Sequence, residues 1–274
     1  MKDLFINLCG AAPKGAWHLL LIEENMKHIS SDKNSDYKDL LNLLEGSQVK
    51  KQKRTLIFGE KILNEWLADP KYHCQMLVHW SEEKLAPYLK TNSTMALILT
   101  KDLYYELDAF GTGTAIGVFN IPEIQFNSFE SPPKGLEVIA ACGDPNNLGA
   151  LIRTATGLGV RQIILTEEAC HPFHPKTIRS SAGSVRVAPL QKGPSIRSLN
   201  AEIGFALDMH GQNIHQMNWP NDVRIIIGEE GPGVPEALKS NSLSIPLHPE
   251  VESLNAATAG ALAIMSYMTA HKNG

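Results

Sequence analysis

The run VRIIIG, residues 223–228, is the feature that most restricts how this chain can fold. It is nearly continuously apolar and ends directly in a glycine. A strand of this composition is buried on both faces, as in a parallel sheet covered by helices on each side. Similar runs recur in the second half of the chain and predict the following strands: Glu137–Cys142, Gln162–Leu165, Ser184–Ala188, Gly204–Leu207, Val223–Ile227 and Leu243–Ile245. A small-residue helix is predicted over Leu254–Met268, so we expect an α/β fold.

The first half alternates strands and helices in a smaller α/β pattern. Its predicted elements are a helix at Asp36–Leu44, a basic loop at 50–54, strands at Thr55–Phe58, Gln75–Trp80, Met95–Leu99 and Ala115–Asn120, and helices at Glu60–Leu67, Glu82–Leu89 and Lys101–Asp108. Prolines interrupt the pattern after residue 120. We therefore expect an N-terminal extension (1–25), a first domain (26–120), a linker (121–135) and a second domain (136–274).

Bulk composition excludes several classes of protein. No apolar run reaches the roughly 18 residues of a membrane span. Residues 4–12 resemble a signal peptide only faintly, because Asp3 and Asn7 interrupt its charge and apolar pattern, and an N-terminal extension is preferred. Cys9, Cys74, Cys142 and Cys170 are widely spaced, which predicts reduced thiols in the cytoplasm rather than disulfides or a zinc site. His171 and His174 lack a third ligand, so no metal is expected, and His248 is read as an incidental loop histidine.

The net charge of −4 argues mildly against nucleic-acid binding, although it does not exclude a local basic surface. The densest basic run consists of Lys50, Lys51, Lys53 and Arg54. Charge alone favours a solvated loop over a nucleic-acid-binding surface.

The segment GDPNNLGALIRTA, residues 143–155, follows a predicted strand and opens a predicted helix. Its Asp and Asn side chains can cap the helix, and Gly149 lets another backbone approach closely. Asn147 and Arg153 are expected at the same end of the sheet. Taken alone, the segment also fits a well-capped turn that carries a surface arginine.

The segment IIIGEEGPGVP, residues 225–235, places three glycines and two prolines directly after a strand. Open α/β sheets bind ligands at the carboxyl ends of their strands, and a stiff loop with few side chains suits such a site. The segment is neither a G-x-G-x-x-G fingerprint nor a P-loop. A nicotinamide-dependent enzyme is thereby disfavoured, while an ordinary tight connection remains open.

The third segment, residues 244–263, reads SIPLHPEVESLNAATAGALA. A strand ends near Ile245, a loop follows, and Ser253 or Asn255 can cap the next helix or face a ligand.

Taken together and in this order, the three segments resemble the signature motifs of the SpoU (TrmH) branch of the SPOUT methyltransferases, over about residues 136–270. The matching residues are Asn147, Gly149, Arg153, Thr154 and Ala155 in the first motif, Gly228, Glu230 and Gly233 in the second, and Ile245, Pro246, Ser253, Leu254 and Asn255 in the third. Residues 181–184 resemble a Ser-Ala-Gly element of the same family. One departure is Ala256–Ala257, where the family often has Val-Ser.

The resemblance implies a C-terminal SPOUT domain with a trefoil knot, which pairs as a homodimer, and a smaller N-terminal α/β domain similar to an RNA-binding ribosomal protein. It implies S-adenosyl-L-methionine as cofactor and methylation of a ribose 2′-hydroxyl in RNA. Ribosomal RNA, including the target of a resistance-type enzyme, is favoured over transfer RNA. By the same resemblance, the residues expected to contact the cofactor are Gly228, Glu230, Gly233, Ile245, Ser253, Leu254 and Asn255.

The resemblance makes Arg153 the catalytic residue and Asn147 its support. An arginine is effectively always protonated, so we expect Arg153 to orient the hydroxyl and stabilise developing alkoxide charge rather than act as a base. RNA contacts are predicted at Lys50, Lys51, Lys53, Arg54 and Arg179. The alternative is a non-catalytic RNA-binding module of the same fold.

Overall fold

The computed structural model describes residues 26–89 and 94–272, so the expected extension at 1–25 lies outside the described residues. The chain divides into two compact units, one of residues 26–42 and 56–120, the other of residues 43–55 and 121 onward. Within the described ranges, no helix is long and apolar enough to cross a membrane.

Helices and strands alternate from residue 26 to residue 120. In chain order these elements are β1 (Met26–Ile29), α1 (Ser35–Asn42), α2 (Gly46–Gln52), β2 (Arg54–Ile57), α3 (Glu60–Ala68), β3 (Cys74–His79), α4 (Glu82–Leu89), β4 (Met95–Leu99), α5 (Lys101–Leu107) and β5 (Ile116–Asn120). They form a five-stranded sheet of order β1-β4-β3-β5-β2, in which β5 runs antiparallel to β3. The predicted elements from residue 55 to residue 120 are confirmed to within one residue at each end.

The second unit contains a six-stranded sheet. Its further elements are β6 (Leu136–Ala140), α6 (Pro145–Gly157), β7 (Gln162–Leu165), α7 (Pro175–Ser180), β8 (Leu190–Lys192), β9 (Phe205–Asn213), β10 (Val223–Ile227), α8 (Glu236–Lys239), β11 (Ser242–Ser244) and α9 (Ala256–Lys272). All neighbouring strands are parallel, in the order β11-β9-β10-β6-β7-β8. The predicted parallel α/β domain is confirmed.

The packing around strand β10 explains why its sequence is so uniformly apolar. Ile226 belongs to a core cluster on one face of the sheet, together with Ile139 and Ile164. On the other face, Ile227 lies so close to Gly260 that a Cβ there would stand 2.6 Å from its side chain. Helix α9 therefore covers one face, and both faces of β10 are buried.

Two expectations about local structure were wrong. Residues 184–188 do not form a strand: Ser184–Arg186 is a 3-10 turn, and the strand is β8. The reason is the left-handed backbone at Ala182 (φ 49°) and Gly183 (φ 81°), which turns the chain while Val185 packs inside.

The basic stretch 50–54 is not a loop, because Lys50 and Lys51 lie in the last turn of α2, and Arg54 begins β2. The expected first domain also loses residues 43–55, which cluster with the second unit. The expected linker is part of that unit as well, since Phe126 forms a bridge to Lys192 beside β8.

Candidate active site

A cavity of about 620 Å³ lies at the carboxyl edge of the second sheet, beyond the ends of β10 and β11. Sheet order reverses between β6 and β10, because β7 and β8 lie on one side of β6 while β10, β9 and β11 lie on the other. Such a switch point opens a crevice for ligands. The cavity is lined by residues of all three motifs: Asn147; Gly228, Glu230 and Gly233; and Ile245, Ser253, Leu254 and Asn255.

A chain of side-chain hydrogen bonds joins the three motifs. Glu230 accepts from the backbone N–H of Gly143 (2.9 Å) and from the Asn147 amide nitrogen (3.0 Å). The Asn147 amide oxygen in turn accepts from Asn255 Nδ2 at 2.7 Å. Asn255 and Asn147 are 108 residues apart in sequence. The motifs therefore form one site, held by an amide–carboxylate relay of Glu230, Asn147 and Asn255.

The two helices that enter this site begin with well-formed caps. Asp144 Oδ1 accepts from the backbone N–H groups of Asn146 and Asn147, both at 2.9 Å, which starts α6. Asn255 Oδ1 accepts from the N–H groups of Ala257 (3.0 Å) and Thr258 (3.2 Å), which starts α9. Asn255 therefore both caps its helix and faces the cavity, so the two roles that the sequence left open are combined.

The loop after β10 needs its glycines. Glu229 and Gly233 exchange two backbone hydrogen bonds of 3.0 Å, and Gly233 has a φ of 73°. A Cβ on Gly228 would stand 2.5 Å from the backbone of Gly233. Any side chain at 228 would open this tight loop.

Arg197 ties the same loop to the end of β7. Its guanidinium bonds Glu229 Oε1 at 2.7 Å and Glu168 Oε1 at 2.9 Å. Burial alone would raise the pKa of Glu168, but hydrogen bonds from the Ile196 N–H and the Ser195 hydroxyl outweigh it and lower the pKa to about 2. Glu168 is therefore ionised at neutral pH and can hold Arg197 in place.

The cavity is acidic. Four carboxylates line it, and the basic residues on its wall are Lys239 and His210. The carboxylates are Asp208, Glu229, Glu230 and Glu252. Apolar side chains complete the wall at Leu207, Ile227, Leu243 and Leu247. A cation with an apolar body fits such a lining.

Arg153 does not line the cavity of its own chain. It is exposed on α6, six residues beyond Asn147, which is about 9 Å along a helix. Arg179 is likewise exposed, on α7, whereas Arg54 is half-buried and donates to Gln52.

Several site residues escaped the sequence analysis. Asp208 and His210 lie on β9, which continues well beyond the predicted strand 204–207 and brings them to the cavity. Glu168 and Arg197 lie in loops without a recognisable motif. The carboxyl end of β9 was the one available signal, because it follows a strand predicted for the same sheet.

His171 and His174 have structural roles at the start of α7. His174 Nδ1 accepts from the backbone N–H of Lys176 at 3.0 Å, and His171 Nδ1 accepts from that of Phe173 at 3.2 Å. In the described part of the chain, no group of three or more His, Cys, Asp or Glu residues is arranged to hold a metal ion.

An all-parallel sheet with a glycine-lined acidic cavity at its switch point defines a class, the α/β proteins that bind a small ligand at the carboxyl edge of the sheet. The model of the SpoU rRNA Methylase family matches residues 137–265. A 23S rRNA (guanosine(2553)-2′-O)-methyltransferase from Bacillus subtilis is 31% identical over 250 residues, which cover 87% of this chain and 98% of the relative. The chain belongs to the SpoU family of rRNA methylases.

Other known proteins are similar to this chain over most of its length. A protein named ribosomal RNA small subunit methyltransferase G 2, from Syntrophobacter fumaroxidans, is 34% identical over 88% of this chain, but the chain spans only 49% of that relative's length. Among solved structures, the SpoU methyltransferase AviRb from Streptomyces viridochromogenes in complex with AdoMet has a TM-score of 0.74 at 21% identity, covering 88% of this chain and all of that one. An AdoMet-bound rRNA methyltransferase from Sinorhizobium meliloti has a TM-score of 0.71 at 21% identity, covering 89% and 98%.

Proposed function

We propose that this chain transfers the methyl group of S-adenosylmethionine to a ribose 2′-hydroxyl of ribosomal RNA. The observation that carries the proposal is the relay of Glu230, Asn147 and Asn255, which draws three distant motifs around one cavity. Relatives in the family are named for this reaction, including the Bacillus enzyme and a 23S rRNA (uridine(2479)-2′-O)-methyltransferase from Streptomyces viridochromogenes, 26% identical over 67% of this chain.

The cavity residues fit the cofactor. S-adenosylmethionine supplies a methyl group on a positively charged sulfur, and the four carboxylates of the wall favour a cation. The tight loop from Gly228 to Gly233 presents backbone groups without intervening side chains. We assign cofactor contacts to Gly228, Glu230, Gly233, Ile245, Ser253, Leu254 and Asn255.

We place Arg153 at the cavity of a second copy of the chain. It is exposed and does not line the cavity of its own chain, which favours a catalytic role across a homodimer interface. Helix α9 carries an apolar pair one turn apart, Leu262 and Met265, which are 46% and 48% exposed. Exposed apolar pairs on a long helix are suited to a homodimer interface.

At such a composite site, the Arg153 guanidinium orients the ribose hydroxyl and stabilises the oxygen as it loses its proton. Asn147 holds Glu230 and Asn255 in place rather than meeting the RNA. We also propose that the loops after β10 and β11 form the trefoil knot that the resemblance implies, that the first unit contributes to RNA binding, and that the protein works in the cytoplasm.

Incubation of the purified chain with methyl-labelled S-adenosylmethionine and RNA tests the proposal. We expect label in ribosomal RNA and, after nuclease digestion, a 2′-O-methylated nucleoside in the mass spectrum. Label in transfer RNA alone would show that transfer RNA, and not ribosomal RNA, is the substrate. Cofactor binding without label in any RNA would contradict the methyltransferase, as would no cofactor binding, which is the result expected of a non-catalytic RNA-binding module.

A further inference from the structure

Helix α2 is part of the second unit although its neighbours in sequence are not. Its position is fixed by buried contacts to the loop before α7. The buried Thr55 hydroxyl donates to the Phe173 carbonyl at 2.7 Å, and Gly46 lies against the ring of His174, so that a Cβ there would be 3.0 Å from Cδ2. The basic residues of α2 are thus held on the methyltransferase unit.

The charges of two lysines from distant parts of the sequence act on this loop. His171 lies mostly inside the protein, and its pKa is lowered to about 4, first by burial and then by the positive charges of Lys192 and Lys50. Lys176 acts in the same direction on His174. The charges of all three lysines therefore act on the loop 171–174, and Lys50 lies one helical turn after Gly46, which contacts the His174 ring. Glu45 is the carboxylate that acts on His174 in the opposite direction.

These lysines are not used for internal ion pairs. Across residues 26–89 and 94–272, no carboxylate pairs with the ammonium groups of Lys50, Lys176 or Lys192. Positive charges that act on the same loop without forming ion pairs raise the free energy of the isolated protein. A polyanion that bridges them would lower it.

The loop 171–174 lies directly beside the catalytic motif. It leads into α7, whose Ser180 hydroxyl donates to the Pro145 carbonyl at 3.1 Å in the first turn of α6, the helix that carries Asn147. Arg179 is exposed on the same short helix, one turn after Lys176. A polyanion seated on these residues would pass close to the active site.

We infer that Lys50, Lys176 and Lys192 form a phosphate-binding surface on the methyltransferase unit, which holds the backbone of the substrate RNA near the target ribose. We call it the α2–α7 surface. The inference rests on the proposed function and adds to it a binding surface that is separate from the first unit. That unit is a poor electrostatic match for RNA, because residues 26–42 and 56–120 contain more acidic than basic side chains.

The test is the triple variant K50Q/K176Q/K192Q, compared with K38Q/K61Q/K71Q, which removes the same charge from the first unit. RNA affinity is measured at several salt concentrations, and cofactor affinity is measured separately. We expect the first variant to weaken RNA binding by at least about tenfold and to flatten the salt dependence by roughly two to three phosphate contacts, with cofactor affinity unchanged.

The proposed α2–α7 surface would be contradicted if both variants lost RNA affinity equally. It would also be contradicted if the salt dependence of RNA binding were unchanged in the first variant. Failure of the proposed function is distinguishable, because it appears in the wild-type chain as the absence of methyl transfer. Circular dichroism spectra and thermal midpoints of both variants show whether either one has lost its fold. If the first variant unfolds, K192Q alone is expected to show the same change in slope on a smaller scale.

Discussion

Asn147 uses both ends of its side-chain amide. Its nitrogen donates to Glu230 and its oxygen accepts from Asn255, so only a group that both donates and accepts fits between them. A carboxylate of the same size could accept from Asn255 but would repel Glu230. Such a substitution keeps the shape of the side chain but removes the N–H donor that bonds Glu230.

Asn147→Asp is therefore predicted to reduce methyl transfer and cofactor affinity by about tenfold to a hundredfold, the effect of one lost charge-assisted hydrogen bond. The measurement is single-turnover methylation together with a cofactor titration. Asn146→Asp is the matched control, because it adds the same charge at an exposed neighbouring position. Equal losses in both variants would show that charge at the start of α6, and not the relay, is responsible.

Glu168 links the site to the stability of the protein. Its pKa of about 2 in the folded protein is below the usual 4.5, so the folded state favours the ionised form. The resulting stability is fully present above the usual pKa and is lost as the pH falls through about 2. The groups chiefly responsible are the Ile196 N–H and the Ser195 hydroxyl, which donate to the carboxylate.

Glu168→Gln is predicted to lower the free energy of unfolding by about 1–3 kcal/mol at pH 7. The difference from wild type should shrink between about pH 5 and pH 2, because the unfolded wild-type chain takes up a proton at Glu168 in this range that the folded protein does not. Urea unfolding of both proteins at pH 7, 4 and 2.5 measures this difference in the free energy of unfolding. A difference that stays constant down to the lowest pH would contradict a lowered pKa at this position.

At the scale of elements, the packing of α6 on α7 depends on one missing side chain. A Cβ on Gly149 would stand 1.8 Å from the Ser180 hydroxyl and 2.7 Å from the Thr177 carbonyl. The second contact is to backbone, so a side-chain rotation cannot relieve it. The glycine of the first motif therefore serves helix packing rather than ligand contact.

Gly149→Ala should destabilise the protein by about 1–3 kcal/mol or more, through overpacking. Gly157→Ala is the control on the same helix, since its Cβ would meet nothing within 4 Å. There the change should be neutral or stabilising by up to about 1 kcal/mol, because alanine favours the helix. The denaturant concentrations at the unfolding midpoints of the two variants and the wild type measure these changes. A similar midpoint for the two variants would show that α7 can move away.

The elements of both sheets could largely be predicted because their apolar runs are long and uninterrupted, as in β10. The prediction of a strand at 184–188 failed because an alanine in the sequence gives no indication of the left-handed backbone that Ala182 adopts. The motifs predicted which residues line the cavity, since each follows a strand end. Arg197 could not be predicted, because its partners Glu168 and Glu229 meet it only through tertiary structure.

For the whole molecule, the boundary between units illustrates the same limit. Residues 43–55 read as part of the first domain by position, yet Thr55 is hydrogen-bonded to Phe173 and belongs to the second unit. Basic charge that the sequence placed on a separate RNA-binding domain is therefore located on the methyltransferase unit. A contact between such distant segments produces no hydrophobic periodicity in either segment, so the sequence alone does not predict it.

The assembly itself can be tested by mixing two inactive variants. Arg153→Ala keeps a complete cavity, and Gly228→Val destroys the cavity but keeps Arg153. In a mixed dimer whose sites are shared between chains, one of the two sites regains both parts. Random pairing makes half of the dimers mixed, so activity should return to about a quarter of wild type.

If Arg153 served the cavity of its own chain, every site in the mixture would lack one part, and the mixture would be as inactive as each variant alone. Size-exclusion chromatography with light scattering must show dimers for both variants and for their mixture. Met265→Arg in both variants supplies the last control, because a charge in the proposed α9 interface should abolish the regained activity and the dimer together. Regained activity from a mixture of monomers would instead rule out the shared site.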